Sequence, residues 1–92
     1  MRTGLESFER DYKPPLLAYL NRPTEKGLAA AYELGRQAMR EEIGLLTLVQ
    51  VHHDTFLEVL ATARALEEAQ RLAEVAAAFL LEALASFEMT QR

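Results

Sequence analysis

Leu72-Ala73-Glu74-Val75-Ala76-Ala77-Ala78-Phe79-Leu80-Leu81-Glu82-Ala83-Leu84-Ala85-Ser86-Phe87 is the stretch on which the fold turns: thirteen of its sixteen residues are apolar. A surface helix needs one apolar stripe, roughly 100° wide, with polar residues elsewhere. A helix that is apolar nearly all round has to be covered on several sides. The 92-residue chain offers only about three partner helices, so the excess points to cover from a second molecule.

Two lines run along this segment at helical spacing. The first is Leu66, Ala69, Ala73, Ala76, Leu80, Ala83 and Phe87, and its alanines allow close helix packing; Leu72, Val75 and Phe79 beside it fill a core. Glu67, Arg71, Glu74 and Glu82 fall outside, but Ala78, Leu81 and Ala85 share their sector. Buried tetramer packing could absorb those breaks in the polar side, and an intermittent docking patch explains them equally well. No glycine or proline stops the helix before Arg92. The spacing therefore predicts a long final helix that starts near Ala65 and reads as a cut through a longer protein, with more chain to follow Arg92.

The preceding segments are also helical in period, and none alternates like a half-buried strand. Leu5, Phe8, Tyr12, Leu16 and Tyr19 recur at intervals of three and four. Pro14 and Pro15 each remove an amide donor, yet the apolar phase survives them, which predicts a kinked helix rather than a separate arm. Asn21-Arg22-Pro23 ends it. Thr24 can cap a second helix with Glu25 at its positive end. Its buried line is Leu28, Ala31, Tyr32, Gly35 and Ala38 or Met39. Glycine at 35 costs up to about 1 kcal/mol relative to alanine in a helix interior, so it marks a close approach by a neighbouring helix. Gly44 marks the next break. A third helix runs from Leu45 to about Ala61, with Leu45, Leu48, Val49, His52, Phe56, Val59 and Leu60 inward and Thr47, Asp54, Glu58 and Thr62 wet. The expected fold is an all-α, four-helix, bundle-like single domain.

Composition narrows the partners. A net charge of −4, with scattered arginines, disfavours nucleic acid and anionic membrane. No apolar run approaches the ~18 residues needed to span a bilayer. Met1-Arg2-Thr3 leads into Glu6, Glu9 and Asp11, unlike a signal peptide. The chain has no cysteine, which is compatible with a reducing compartment and an expected cytoplasmic location.

Catalytic chemistry finds little to work with. His52 and His53 are adjacent, so they point about 100° apart on a helix, and no third histidine or cysteine completes a zinc set. None of the glutamates is followed three residues later by histidine, as di-iron bundles require. His52 falls in the inward seam and reads as a hydrogen-bonded core histidine; His53 falls at the flank. Glu41/Glu42 and Glu67/Glu68 sit at helix ends as solvated charges, and Ser7 and Ser86 have no histidine partner in evident reach. No phosphate-cradling glycine loop occurs. The domain is expected to be non-enzymatic, without metal or cofactor. One sharper alternative is a phosphoacceptor role for His53, since His53-Asp54 resembles the His-acid pair of histidine-kinase helices. Positions 49, 50, 56 and 57 are Val, Gln, Phe and Leu, and supply no cation to hold a phosphoryl group.

Taken together, Tyr19-Leu20, Glu25 through Leu28, Tyr32-Glu33-Leu34-Gly35-Arg36, His52-His53 and Phe79-Leu80-x-Glu82-x-Leu84-x-x-Phe87-Glu88-Met89 form a pattern. It resembles the N-terminal domain of RsbU-type phosphoserine phosphatases, stress-response regulators of bacteria, over nearly the whole chain. The resemblance implies a four-helix domain that forms a homodimer and precedes a metal-dependent serine phosphatase of PP2C type. It implies no catalytic role for the domain itself, which receives an RsbT-type, kinase-related switch protein and thereby turns the phosphatase on. Similar domains precede sensor or kinase modules in other proteins, which leaves a dimerisation domain of that kind as a further alternative. The family's docking surface involves the start of the second helix and the late part of the last. Here those positions hold Glu25 and Ala29, then Ala78, Leu81, Ala85 and Glu88. Helix packing and dimerisation would fall to Leu72, Ala76, Phe79, Leu80, Ala83 and Phe87. Pro14-Pro15 departs from a straight first helix, and small Ala29 and Ala85 imply a flatter docking surface than bulky residues would give.

Overall fold

A computed structural model describes residues 4–91; the expectations attached to Met1, Arg2, Thr3 and Arg92 lie outside them. Four helices account for the described chain: α1 (Gly4–Asn21), α2 (Glu25–Arg40), α3 (Leu45–Leu60) and α4 (Leu66–Gln91). No strand occurs among the described residues, and the all-α, four-helix reading holds.

Helix α1 runs through both prolines without interruption, so the segment is one helix and not a detached arm. Two prolines cost the helix two amide donors. The cost is offset because Phe8, Tyr12, Leu16, Tyr19 and Leu20 are all buried from the same helix. Leu5, expected in the same line, is 41% exposed. Thr24 caps α2 as expected: its Oγ1 accepts from the Gly27 amide at 3.0 Å, satisfying one of the donors a helix start leaves open.

The end of α2 differs from the expectation. Ile43 N–H donates to the Ala38 carbonyl at 2.7 Å and Glu42 N–H to that of Met39 at 3.2 Å, the paired bonds of a Schellman motif. The left-handed residue this motif requires is Glu42, at φ 57°, not Gly44. Gly44 instead precedes α3 in extended backbone, with φ −68°. Ile43 turns back into the core, which supplies the apolar contact such an ending carries.

Helix α3 is rotated from its expected phase. Its buried residues are Leu48, Val51, His52 and Thr55. Leu45 is 46% exposed, whereas Val49, Phe56, Val59 and Leu60 are half-buried and Thr47 is half-covered. A threonine can take the buried place because its Oγ1 donates to the Val51 carbonyl at 2.9 Å, so burial leaves no open donor. In α4 the covered stripe is Leu72, Ala76, Phe79, Ala83 and Ser86. It crosses between the two lines read from sequence; Leu66 and Ala73 of the first line are exposed, and Ala69, Val75, Leu80 and Phe87 are half-buried.

Contacts between the helices fix the topology. Arg71 Nη1, early in α4, donates to the Leu20 carbonyl at the end of α1. Tyr12 and Lys13 of α1 reach His52 and Glu58 of α3, while Leu17 and Leu20 share a cavity lining with Val59 and Thr62. Gly35, late in α2, lies against Ala83 and Ser86, late in α4. Helices α1 and α3 therefore run one way and α2 and α4 the other, an up-down-up-down bundle. Its centre is aromatic. Phe79 meets Tyr12 edge-on, with ring centroids 5.6 Å apart, and Tyr19 at the same separation; Phe8 stacks on at 5.7 Å from Tyr12.

Candidate docking face on the second and fourth helices

Glycine at 35 is what lets α2 and α4 meet. A Cβ added there would overlap the Ala83 carbonyl and the Ser86 hydroxyl, so the close approach expected from the sequence is present. Ser86 was invisible to an apolar count. It is fully buried, and its Oγ donates to the Ala83 carbonyl at 2.8 Å, which lets a small polar side chain sit where a bulky apolar one would hold the helices apart.

This crossing sets the register of the outer groove between the two helices. Counting turns from it, Ala29 falls level with about Ala78, and Arg36 with about Ala85. On α2, Glu25 and Ala29 are exposed, and Tyr32 and Arg36 continue the same flank at helical spacing. On α4, Ala78, Glu82 and Ala85 are half-buried, and their helical spacing from Ser86, which meets Gly35, puts them on the flank beside α2. Four of the six docking residues read from sequence, Glu25, Ala29, Ala78 and Ala85, thus share one face. Leu81 and Glu88 do not line that groove; they stand on the crest of α4, opposite its buried stripe, where Leu81 is 68% exposed. Tyr32 and Arg36 were absent from the expected site, although their spacing of three and seven residues from Ala29 is the signal that finds them.

The six packing residues divide as well. Leu72, Ala76, Phe79 and Ala83 are buried by their own chain. Leu80 and Phe87 are only half-covered. With Leu66, Ala73, Ala77 and Leu84 they form a second line at intervals of seven, four, three, four and three, the spacing of a coiled-coil seam. Leu66 on this line is 70% exposed, and Ala73 and Ala77 are exposed. The bundle therefore leaves this apolar edge of α4 only partly covered: Leu66, Ala73 and Ala77 are exposed, while Leu80, Leu84 and Phe87 also pack against the core.

The two histidines have opposite environments. His52 is buried, and its Nδ1 lies 2.7 Å from the Tyr12 hydroxyl across the α1–α3 contact. Burial lowers its pKa to about 4, with adjacent His53 adding to the effect, and burial raises that of Tyr12. His52 is thus neutral near pH 7, and the tautomer it adopts sets which of Nδ1 and the Tyr12 hydroxyl donates in their bond. His53 is exposed. The carboxylate of neighbouring Asp54 is engaged by Gln50 Nε2 at 2.8 Å. Among the described residues no three His, Cys, Asp or Glu side chains cluster closely enough to hold a metal ion, and no helix is long and apolar enough to cross a membrane.

The architecture defines an all-α bundle whose most intimate helix pair carries a shallow, small-residue outer groove. The family model for the N-terminal domain of phosphoserine phosphatase RsbU matches residues 10–90, and the chain belongs to that family. It is a regulatory domain in kind, as the resemblance of its Tyr-Glu-Leu-Gly-Arg and Phe-Glu-Met segments implied. Searches of curated proteins and of solved structures gave no match.

Proposed function

We propose that this domain is a non-catalytic receiver that dimerises and docks an RsbT-like, kinase-related switch protein, and that docking activates a serine phosphatase carried by the same protein in the cytoplasm. The observation that carries the reading is the α2–α4 groove, where Ala29, Ala78 and Ala85 leave room for a partner to approach over a rigid helix pair locked at Gly35. Glu25, Tyr32, Arg36 and Glu82 supply a polar rim, the arrangement expected of a reversible interface. Leu81 and Glu88 on the crest would meet the partner only at its margin.

Dimerisation rests on the other flank of α4. A seam of Leu66, Ala73, Ala77, Leu80, Leu84 and Phe87 at coiled-coil spacing suits a second copy of the same helix. Placing the two interfaces on opposite flanks lets a dimer carry a partner on each subunit. The docking reading is tested by Ala85→Arg, which adds a long charged side chain to a half-buried position without touching the core. The expected result is loss of binding to the RsbT-type protein with an unchanged far-UV spectrum and unchanged sedimentation. Undiminished binding would overturn the groove as the docking face.

A further inference from the structure

A different concavity lies on the other flank of α2, where it leaves α1. Its apolar floor is formed by Pro15, Ala18, Tyr19 and Ala30, and Arg22 and Lys26 line it as its charged groups. The floor is open because of Gly27: a Cβ there would come within 2.6 Å of the Tyr19 ring. Thr24, which also lines the concavity, is committed to capping Gly27. The guanidinium of Arg22 and the ammonium of Lys26 make no ion pair or hydrogen bond with any described residue. Glu25, the adjacent carboxylate in sequence, does not line the cavity.

We infer that this α1–α2 groove is an anchor site for an acidic segment of a partner protein, seating one bulky apolar side chain on Tyr19, Ala18 and Ala30 while flanking carboxylates pair with Arg22 and Lys26. Two features choose the occupant. The volume, about 230 Å³, lies below the several hundred Å³ of small-molecule sites and matches a single large side chain. The floor also lacks the convergent polar groups that orient a small ligand, so a protein segment has to bring its own contact area. Charge complementarity supplies the sign: two unpaired cations, in a chain of net charge −4, attract carboxylates and reject basic sequences. The site is separate from the α2–α4 groove, and Ala85→Arg leaves it untouched.

A phage-displayed library of random dodecamer peptides, selected on the intact chain and counter-selected on Arg22→Glu/Lys26→Glu, tests the inference. Enriched peptides should carry an aromatic or large aliphatic residue between carboxylates. A synthetic member of that set should shift the amide resonances of Ala18 and Gly27, and bind at least tenfold more weakly to the charge-reversed protein and to Ala30→Trp, whose ring fills the floor. Arg22 and Lys26 are exposed and Ala30 is half-buried, and the far-UV spectrum reports on the folding of both variants. Failure to enrich any sequence over the charge-reversed protein, enrichment of peptides without acidic residues, or equal binding to Ala30→Trp would overturn it. Binding retained in Ala85→Arg would keep the result distinct from that of the switch-protein test.

Discussion

Gly35 of α2 and Ser86 of α4 meet so closely that the glycine has no room for a side chain, and the serine turns its hydroxyl onto its own helix at the Ala83 carbonyl. The pair holds α2 and α4 at the separation that shapes the outer groove. In an isolated helix Gly35→Ala would stabilise by about 1 kcal/mol through helix propensity. Here the added methyl strikes backbone, which cannot rotate away, so the sign reverses. Urea unfolding should show a loss of about 1–3 kcal/mol, the usual cost of overpacking. A stabilised variant would mean that the two helices are not in contact at this point.

His52 makes stability depend on pH in a defined direction. Its folded pKa of about 4 lies below the ordinary 6.5, so below pH 6.5 the unfolded chain binds a proton that the folded one refuses. The contribution is complete above that value and is lost as pH falls towards 4, with a slope of at most about 1.4 kcal/mol per pH unit from this group. Between pH 7 and 5, unfolding free energy should decline less in His52→Gln than in the parent. Equal declines would place the titration elsewhere.

The left-handed Glu42 is a site where a glycine should help. A non-glycine residue in this conformation costs about 1–2 kcal/mol relative to its usual backbone, partly offset by the greater freedom glycine has when unfolded. Glu42→Gly should therefore raise stability by about 0.5–1 kcal/mol in thermal or urea unfolding. A neutral or destabilising result would show that the Ala38–Ile43 closure does not govern the end of α2.

Much of this was legible in the chain because periodicity reports burial. The four helices, the Thr24 cap, the passage of α1 through its prolines and the close approach at Gly35 all followed from spacing and from single residue types. What escaped notice depended on neighbours. The phase of α3 shifted because Thr55 satisfies its own hydroxyl at the Val51 carbonyl and can be buried in place of an aliphatic residue. Ser86 was passed over for the same reason. Gly44 marked the break between α2 and α3, but the left-handed residue that closes α2 is Glu42, in a position glycine usually takes. On α4, counting apolar residues revealed the excess but not how it divides. Only the register against Gly35 separates the stripe the bundle covers from the seam it leaves open, and places Ala78 and Ala85 beside Ala29 rather than with Leu81.

The surplus seam on α4 is the most direct point of attack on the account. Leu66, Ala73 and Ala77 stay exposed on the bundle, and replacing Ala77 by Glu puts a charge in the middle of that line without entering the core. Sedimentation equilibrium of the parent and of Ala77→Glu at matched concentrations is the decisive comparison. The account requires a dimer in the parent and a folded monomer in the variant; a parent that stays monomeric at high concentration, or a variant that dimerises as well as the parent, would contradict it.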